Sequence, residues 1–178
     1  MGNDESRREE NYQEYLRLKQ NPDYYDVTFD VQSGGVSAIH KDHCFDKTLG
    51  PFSIRRGKYE TRTMDCLRRH GHSIIMQSEA SRIPMQKSCD CTIDEFSGEI
   101  KAVEGEEYWS IRTKLSQAIK QGADYVVLYF PIESLYSKER ILNGLLLNSK
   151  TTDGANEPIK AIYCIVESNL VDILKPPW

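Results

Sequence analysis

Alternating apolar and polar positions predict several β-strands along this chain. The first is the segment YYDVTFDV, which the turn residues Ser33-Gly34-Gly35 bring to an end. The run YVVLYF at 125–130 is apolar at every position, which is typical of a central strand covered on both faces. The other strands are predicted at 72–79, 89–93, 99–103 and 161–168, and the segment DEFSG forms the turn of a hairpin between the second and third of these.

Helical spacing predicts three helices and part of a fourth. Residues 1–22 form a charged helix that ends at Asn21-Pro22, because proline disfavours the helical conformation in the residue before it. The helices at 58–70 and 109–121 are followed by Gly71 and Gly122, which suit helix C-termini. Residues 132–148 are helical in part.

The order of these elements predicts an α/β (α+β) fold with a mixed central β-sheet flanked by helices. A chain of 178 residues is long enough for one well-packed domain. We therefore expect a polar helical arm or linker at 1–22 and a single domain at 23–178.

Composition narrows the classes of protein. No apolar run approaches the ~20 residues that span a bilayer, and the N-terminal segment is polar. The five cysteines include no CxxC pair, so we expect reduced thiols and a cytoplasmic site of action. The net charge is -4, yet residues 55–69 are rich in arginine and lysine. Arg55, Arg56 and Lys58 are therefore candidates for contacts with nucleic-acid phosphates, with a solvated helix face as the alternative.

Charged residues on the predicted hairpin are candidates for metal binding and catalysis. Glu99 and Lys101 share one face of their strand because side chains alternate, and Asp90 lies on the preceding strand. In the helix at 58–70, Glu60 lies on the same stripe as Met64 and Leu67, so it faces the core. Carboxylates brought together repel unless a cation lies between them. We predict a metal site of Asp90, Glu99 and Glu60 for Mg²⁺, with Mn²⁺ or Zn²⁺ as alternatives, and Lys101 beside it to assist an attacking water.

The spacing of Asp90 and Glu99-x-Lys101 resembles that of the PD-(D/E)xK nuclease superfamily. The resemblance implies a restriction-endonuclease-like core in which Asp90, Glu99 and Lys101 are catalytic. Gln121-x-x-x-Tyr125 is similar to the QxxxY element of some branches, which implies contact with nucleic acid. Cys89 stands where the superfamily name has proline.

A closer resemblance extends over residues 26–130. The Gly-Gly turn, His40-x-x-His43, Glu60, the strand that ends in Glu79, Asp90 and Glu99-Ile-Lys101 are similar to the C-terminal nuclease domains of contact-dependent growth inhibition toxins and to related phage and mobile-element modules. This resemblance implies a domain that cuts tRNA, other RNA or DNA after delivery into a target cell by a larger protein. It also implies a cognate immunity protein as partner.

Two other functions remain open at this point. His40 and His43 are candidates for acid and base in a metal-independent ribonuclease of the barnase and colicin type, or for residues that line a substrate groove. The alternative to catalysis at the hairpin is a cross-strand ion pair between Asp90 and Lys101 in a non-catalytic nucleic-acid or protein-binding module.

Overall fold

This computed structural model describes residues 2–45, 57–79, 89–107, 109–151 and 159–178. The α-helices in these residues are α1 (Gly2–Gln20), α2 (Lys58–Arg69), α3 (Ser110–Gln121) and α4 (Lys138–Thr151), and a 3₁₀-helix lies at Glu133–Leu135. The strands are β1 (Tyr24–Phe29), β2 (Val36–His40), β3 (Ser73–Met76), β4 (Cys91–Ile93), β5 (Phe96–Ala102), β6 (Tyr125–Phe130), β7 (Ala161–Val166) and β8 (Asn169–Leu174). No helix in the described part of the chain is both long and apolar enough to cross a membrane.

Contacts divide these elements into two compact units. The first unit contains α1, α2 and β1 to β4, and the second contains β5 to β8 with α3 and α4. The prediction of a single domain over 23–178 stays a prediction.

The first unit has strands in both directions. Strand β2 pairs antiparallel with β1 and parallel with β3, and β3 pairs antiparallel with β4. A small core forms around Leu18, Val36, Ala38 and Ile75. The turn before β2 passes very close to the end of α2, since a Cβ built on Gly35 would lie 2.0 Å from the carbonyl oxygen of Arg68.

Helix α1 was predicted as an arm, and it packs against β1 and β2 of the first unit. Leu18 has no exposed area, and Asn11 Nδ2 donates to the carbonyl oxygens of Gly34 at 2.9 Å and Gly71 at 3.2 Å. The helix is therefore attached to the unit in two ways, through the apolar contact of Leu18 and through the hydrogen bonds of Asn11 to two turns. Its polar sequence conceals this packing because few of its side chains enter the core.

The second unit has a parallel centre and an antiparallel edge. Strands β5, β6 and β7 run parallel, and β8 pairs antiparallel with β7. Its main core contains fully buried residues of β6, α3 and α4, among them Leu128, Leu115 and Ile141. The buried strand YVVLYF lies between β5 and β7, as its continuous apolar character predicts.

The mixed α/β class and the mixed strand directions are confirmed. Strands β2 and β8 were not assigned from the sequence. Strand β5 also begins earlier than predicted, because the chain passes from β4 to β5 through Asp94 and Glu95 alone, at φ 48° and 70°. Phe96, Ser97 and Gly98, which were predicted in the turn, belong to β5.

Candidate active site

Strand β5 carries an ion pair on one face. Glu99 has no exposed area, and Lys101 Nζ donates to Glu99 Oε1. Two residues apart on a strand, these side chains project to the same side, as the sequence predicts. The Lys101 side chain is 17% exposed, whereas the Glu99 side chain has no exposed area. A buried carboxylate is costly unless a cation or hydrogen-bond donors meet it, and Lys101 supplies both.

Helix α2 turns Glu60 toward the interior of the first unit. Glu60 is 6% exposed and lies on the buried side of the helix with Met64 and Leu67. The prediction that this glutamate faces inward is confirmed. Its carboxylate lies 3.2 Å from His43 Nε2.

His43 lies close to the carboxylates of both Glu60 and Glu79. Its side chain has no exposed area, and its Nδ1 donates to the Gln77 carbonyl oxygen at 3.0 Å and lies 3.7 Å from Glu79 Oε1. Burial by itself would lower the pKa of His43, but its hydrogen bonds to Glu60 and Gln77 and the charge of both glutamates raise it above the ordinary value. Both ring nitrogens are engaged inside the protein.

Asp90 comes directly before β4 and is half-buried. Its carbonyl oxygen accepts a hydrogen bond of 3.0 Å from the Gln77 amide, which ties it to the end of β3. Asp90 and Glu60 belong to the first unit, and Glu99 and Lys101 belong to the second. The structure therefore places Glu99 with Lys101 and Glu60 with His43, and the assembly of all four catalytic candidates into one site stays a prediction.

The predicted contacts with nucleic acid lie in different settings. His40 is mostly buried, with its ring edge-on to Tyr24 and its Nδ1 accepting from the Asp42 amide at 3.1 Å. Lys58 extends over the ring of Tyr59. Arg55 and Arg56 lie outside the described residues.

Gln121 and Tyr125, the two residues of the QxxxY element, lie at the end of α3 and the start of β6. The Gln121 side-chain oxygen is buried and has no hydrogen-bond partner in the structure as described. Tyr125 packs between Phe96 and Tyr163, with ring centroids 4.7 Å and 5.6 Å away. These contacts give Tyr125 a packing role in the second unit, and contact with nucleic acid stays a prediction.

The donors available to a metal are carboxylate oxygens, which suit Mg²⁺ or Mn²⁺. Among the described residues, no group of three or more histidine, cysteine, aspartate or glutamate side chains lies close enough together to hold a metal ion. Mg²⁺ in enzymes is commonly held by only one or two carboxylates, with waters and substrate phosphates as its other ligands. A metal site of this kind at Asp90 and Glu99 stays a prediction.

Comparison with known proteins shows a likeness in structure. No family model matches the chain, and no curated protein matches it. A chain of the CdiA-CT/CdiI toxin and immunity complex from Burkholderia pseudomallei matches with a TM-score of 0.53 and 20% sequence identity. The match covers 79% of this chain and 99% of that chain. The two chains share a fold.

One polar network at the β4–β5 turn was missed by sequence reasoning. Asp94 Oδ1 accepts from the Ser73 amide at 2.9 Å, and Asp94 Oδ2 accepts from His72 Nδ1 at 2.7 Å and pairs with Arg7 at 2.5 Å. A turn containing aspartate signals a local hydrogen bond to its own backbone. Its partners here come from distant segments, and no local pattern identifies them.

Proposed function

We propose that this protein is a metal-dependent nuclease that hydrolyses phosphodiester bonds in tRNA or another nucleic acid, and that it acts as the effector domain of a toxin. The observation that carries the proposal is the Glu99–Lys101 pair on β5, in which a fully buried carboxylate pairs with a lysine whose side chain is partly exposed. The fold shared with a chain of a toxin and immunity complex supports it.

Each residue of the proposed site has a task. Asp90 and Glu99 would hold Mg²⁺ or Mn²⁺, which when bound would stabilise negative charge that develops on the scissile phosphate. Lys101 would orient the attacking water and offset charge as the phosphorus gains its fifth oxygen. His43 Nε2 lies 3.2 Å from Glu60 Oε1 and would keep that carboxylate in place.

The proposal includes a cellular setting. The matched complex contains a toxin and an immunity protein. An inhibitor needs no buried carboxylate paired with a lysine, so the Glu99–Lys101 pair favours the toxin role for this chain. A nuclease of this kind would act in the cytoplasm of a target cell, and the cell that makes it would need a cognate immunity protein.

The metal-independent ribonuclease has less support. A general acid or base must reach the proton that it transfers. His43 has a fully buried side chain and both ring nitrogens engaged, which leaves His40 without a second histidine at the substrate.

Cleavage assays test the proposal. Purified protein is incubated with total tRNA, with other RNA and with plasmid DNA, each in Mg²⁺ and in excess EDTA. We expect at least one substrate to be cut in Mg²⁺ and none in EDTA, with activity restored when Mg²⁺ is added back. Cleavage that persists in EDTA would instead support the metal-independent mechanism, and no cleavage of any substrate would support a binding module.

A further inference from the structure

A groove in the first unit lies outside the residues assigned to catalysis. Its walls are the first turns of α1, the turn between β1 and β2, and the C-terminal end of α2, and its volume is about 460 Å³. Arg7, Arg8 and Arg69 line it, together with Asp4 and Glu5. Its lining is thus rich in hydrogen-bond donors that carry positive charge.

Arg8 is held in place by neutral acceptors. Its guanidinium donates to the carbonyl oxygens of Val31 and, at 3.3 Å, Gln32. Its aliphatic stem lies over Gly34, where a Cβ would come within 2.7 Å of Arg8 Cγ. In the part of the chain that the structure describes, no carboxylate lies within ion-pair distance of Arg8. The charge is therefore fixed in position without a carboxylate to neutralise it.

Arg69 lines the same groove from the C-terminal end of α2 and also lacks a carboxylate partner among the residues that the structure describes. Its Nε donates to the Asp65 carbonyl oxygen at 3.2 Å, and it has no ion-pair partner among the described carboxylates. Its neighbour Arg68 pairs with Asp65, and Arg7 pairs with Asp94. A guanidinium has five N–H donors in a planar fork, so Arg8 and Arg69 keep donors for a ligand after these backbone contacts.

We propose that this groove binds a phosphodiester group of a nucleic-acid strand between Arg8 and Arg69. Arginine matches phosphate because its parallel N–H groups reach two phosphate oxygens at once. Contacts of this kind set the position of a strand without reading its sequence. The inference rests on the proposed function only for the identity of the ligand. Asp4 and Glu5 lower the net charge of the groove, so fixed geometry rather than bulk charge selects the phosphate.

The test measures the affinity of the protein for a labelled single-stranded oligonucleotide. Fluorescence anisotropy reports the binding, and the titration is repeated at several salt concentrations. RNA and DNA of the same sequence are compared. The protein carries Glu99→Gln/Lys101→Met and is kept in excess EDTA, so that cleavage does not interfere. Arg69→Gln removes one of the two exposed arginines that line the groove. Arg17→Gln is the matched control, because Arg17 lies on α1 outside the groove and pairs with Glu14.

We expect Arg69→Gln to weaken binding roughly fivefold and to reduce the slope of log K against log salt by about 0.7, the value for one phosphate contact with a single strand. Arg17→Gln should leave both quantities unchanged, and Glu5→Gln should tighten binding. Equal effects of Arg69→Gln and Arg17→Gln, no effect of Arg69→Gln, or no binding by the parent protein would overturn the inference.

The binding test and the cleavage assays distinguish failure of the groove from failure of the nuclease. A protein that binds through Arg69 but cuts nothing would retain the groove and refute the nuclease. A protein that cuts in Mg²⁺ but ignores Arg69→Gln would retain the nuclease and refute the groove.

Discussion

At the scale of single residues, the charges of this protein are arranged in pairs whose burial sets their importance. Glu99 is fully buried and pairs with Lys101, whose side chain is 17% exposed, whereas Asp23 and Lys41 form an exposed pair at the surface. Exposed pairs add little to stability because solvent screens them. Removing one member of a buried pair leaves a charge without its partner, at a cost of roughly 3–5 kcal/mol.

This difference affects the design of variants at Lys101. Lys101→Ala alone would remove the amine and leave the Glu99 carboxylate in a buried site. We expect that variant to unfold at lower urea concentration than Glu99→Gln/Lys101→Met, which removes both charges and keeps similar volume. Urea unfolding followed by circular dichroism measures the order of stability. The opposite order would show that Lys101 does not compensate Glu99.

Asp94 provides a prediction about pH. Burial would raise the pKa of Asp94, but hydrogen bonds from His72 and Ser73 and the charges of His72 and Arg7 hold it below the ordinary value. A lowered pKa in the folded state means that the stabilisation is present above pH about 4 and is lost as pH falls through the folded pKa.

Asp94→Asn should therefore lower the free energy of unfolding at pH 7 by about 1–3 kcal/mol. The difference between wild type and variant should shrink as the pH is lowered below 4, since the wild-type carboxyl then becomes neutral. Urea titrations at several pH values measure it. Asp23→Asn, at an exposed pair, is the control and should change stability much less. A constant difference at all pH values would contradict the role of the Asp94 charge.

At the scale of elements, the packing of α1 on β1 and β2 is the clearest feature that the local sequence pattern does not reveal. Leu18 is its buried contact, within a core shared with Val36, Ala38 and Ile75. We expect Leu18→Ala to cost about 2–5 kcal/mol, the usual range for a leucine removed from a packed core. Gln13→Ala, at an exposed position on the same helix, should be near neutral. A wild-type melting temperature for Leu18→Ala would mean that the packing of α1 does not contribute to stability and that α1 is an arm, as the sequence predicts.

Strong periodic patterns allowed the prediction of α2, α3 and β6. In α2 the spacing of Glu60, Met64 and Leu67 also predicted which side of the helix is buried. Strand β8 was missed because Glu167 and Ser168, which join it to β7 with positive φ, are not typical hairpin-turn residues. The start of β5 was misplaced for a related reason. The turn was predicted over the whole segment DEFSG, but Asp94 takes the left-handed conformation at its start, with its carboxylate held by Ser73 and His72.

In the candidate site, too, the sequence predicted local relations between residues and missed contacts between distant segments. Strand alternation predicted that Glu99 and Lys101 share a face, because that relation depends only on two neighbouring positions. The contact of His43 with Glu60 joins residues 17 positions apart, and the contact of Arg7 with Asp94 joins two ends of the first unit. Such pairs depend on how elements pack, which one sequence does not specify.

At the scale of the whole molecule, the account combines a shared fold with one chemical feature. The fold is that of a chain in a toxin and immunity complex, and fold alone does not fix an activity. The Glu99–Lys101 pair supplies the chemical reason to propose a nuclease. The central claim is therefore that this pair serves catalysis and not only stability.

The most direct measurement is the single-turnover cleavage rate in Mg²⁺ of Glu99→Gln/Lys101→Met beside that of Asp124→Asn/Lys160→Met. Asp124 and Lys160 form an ion pair of 2.8 Å in the same unit, outside the proposed site, so the control removes the same kinds of charge. Circular dichroism first establishes that both variants are folded. We then expect the cleavage rate of Glu99→Gln/Lys101→Met to fall by at least about 10²-fold. The rate of Asp124→Asn/Lys160→Met should stay near wild type. A wild-type rate for the first variant, or an equal loss in both, would contradict the claim.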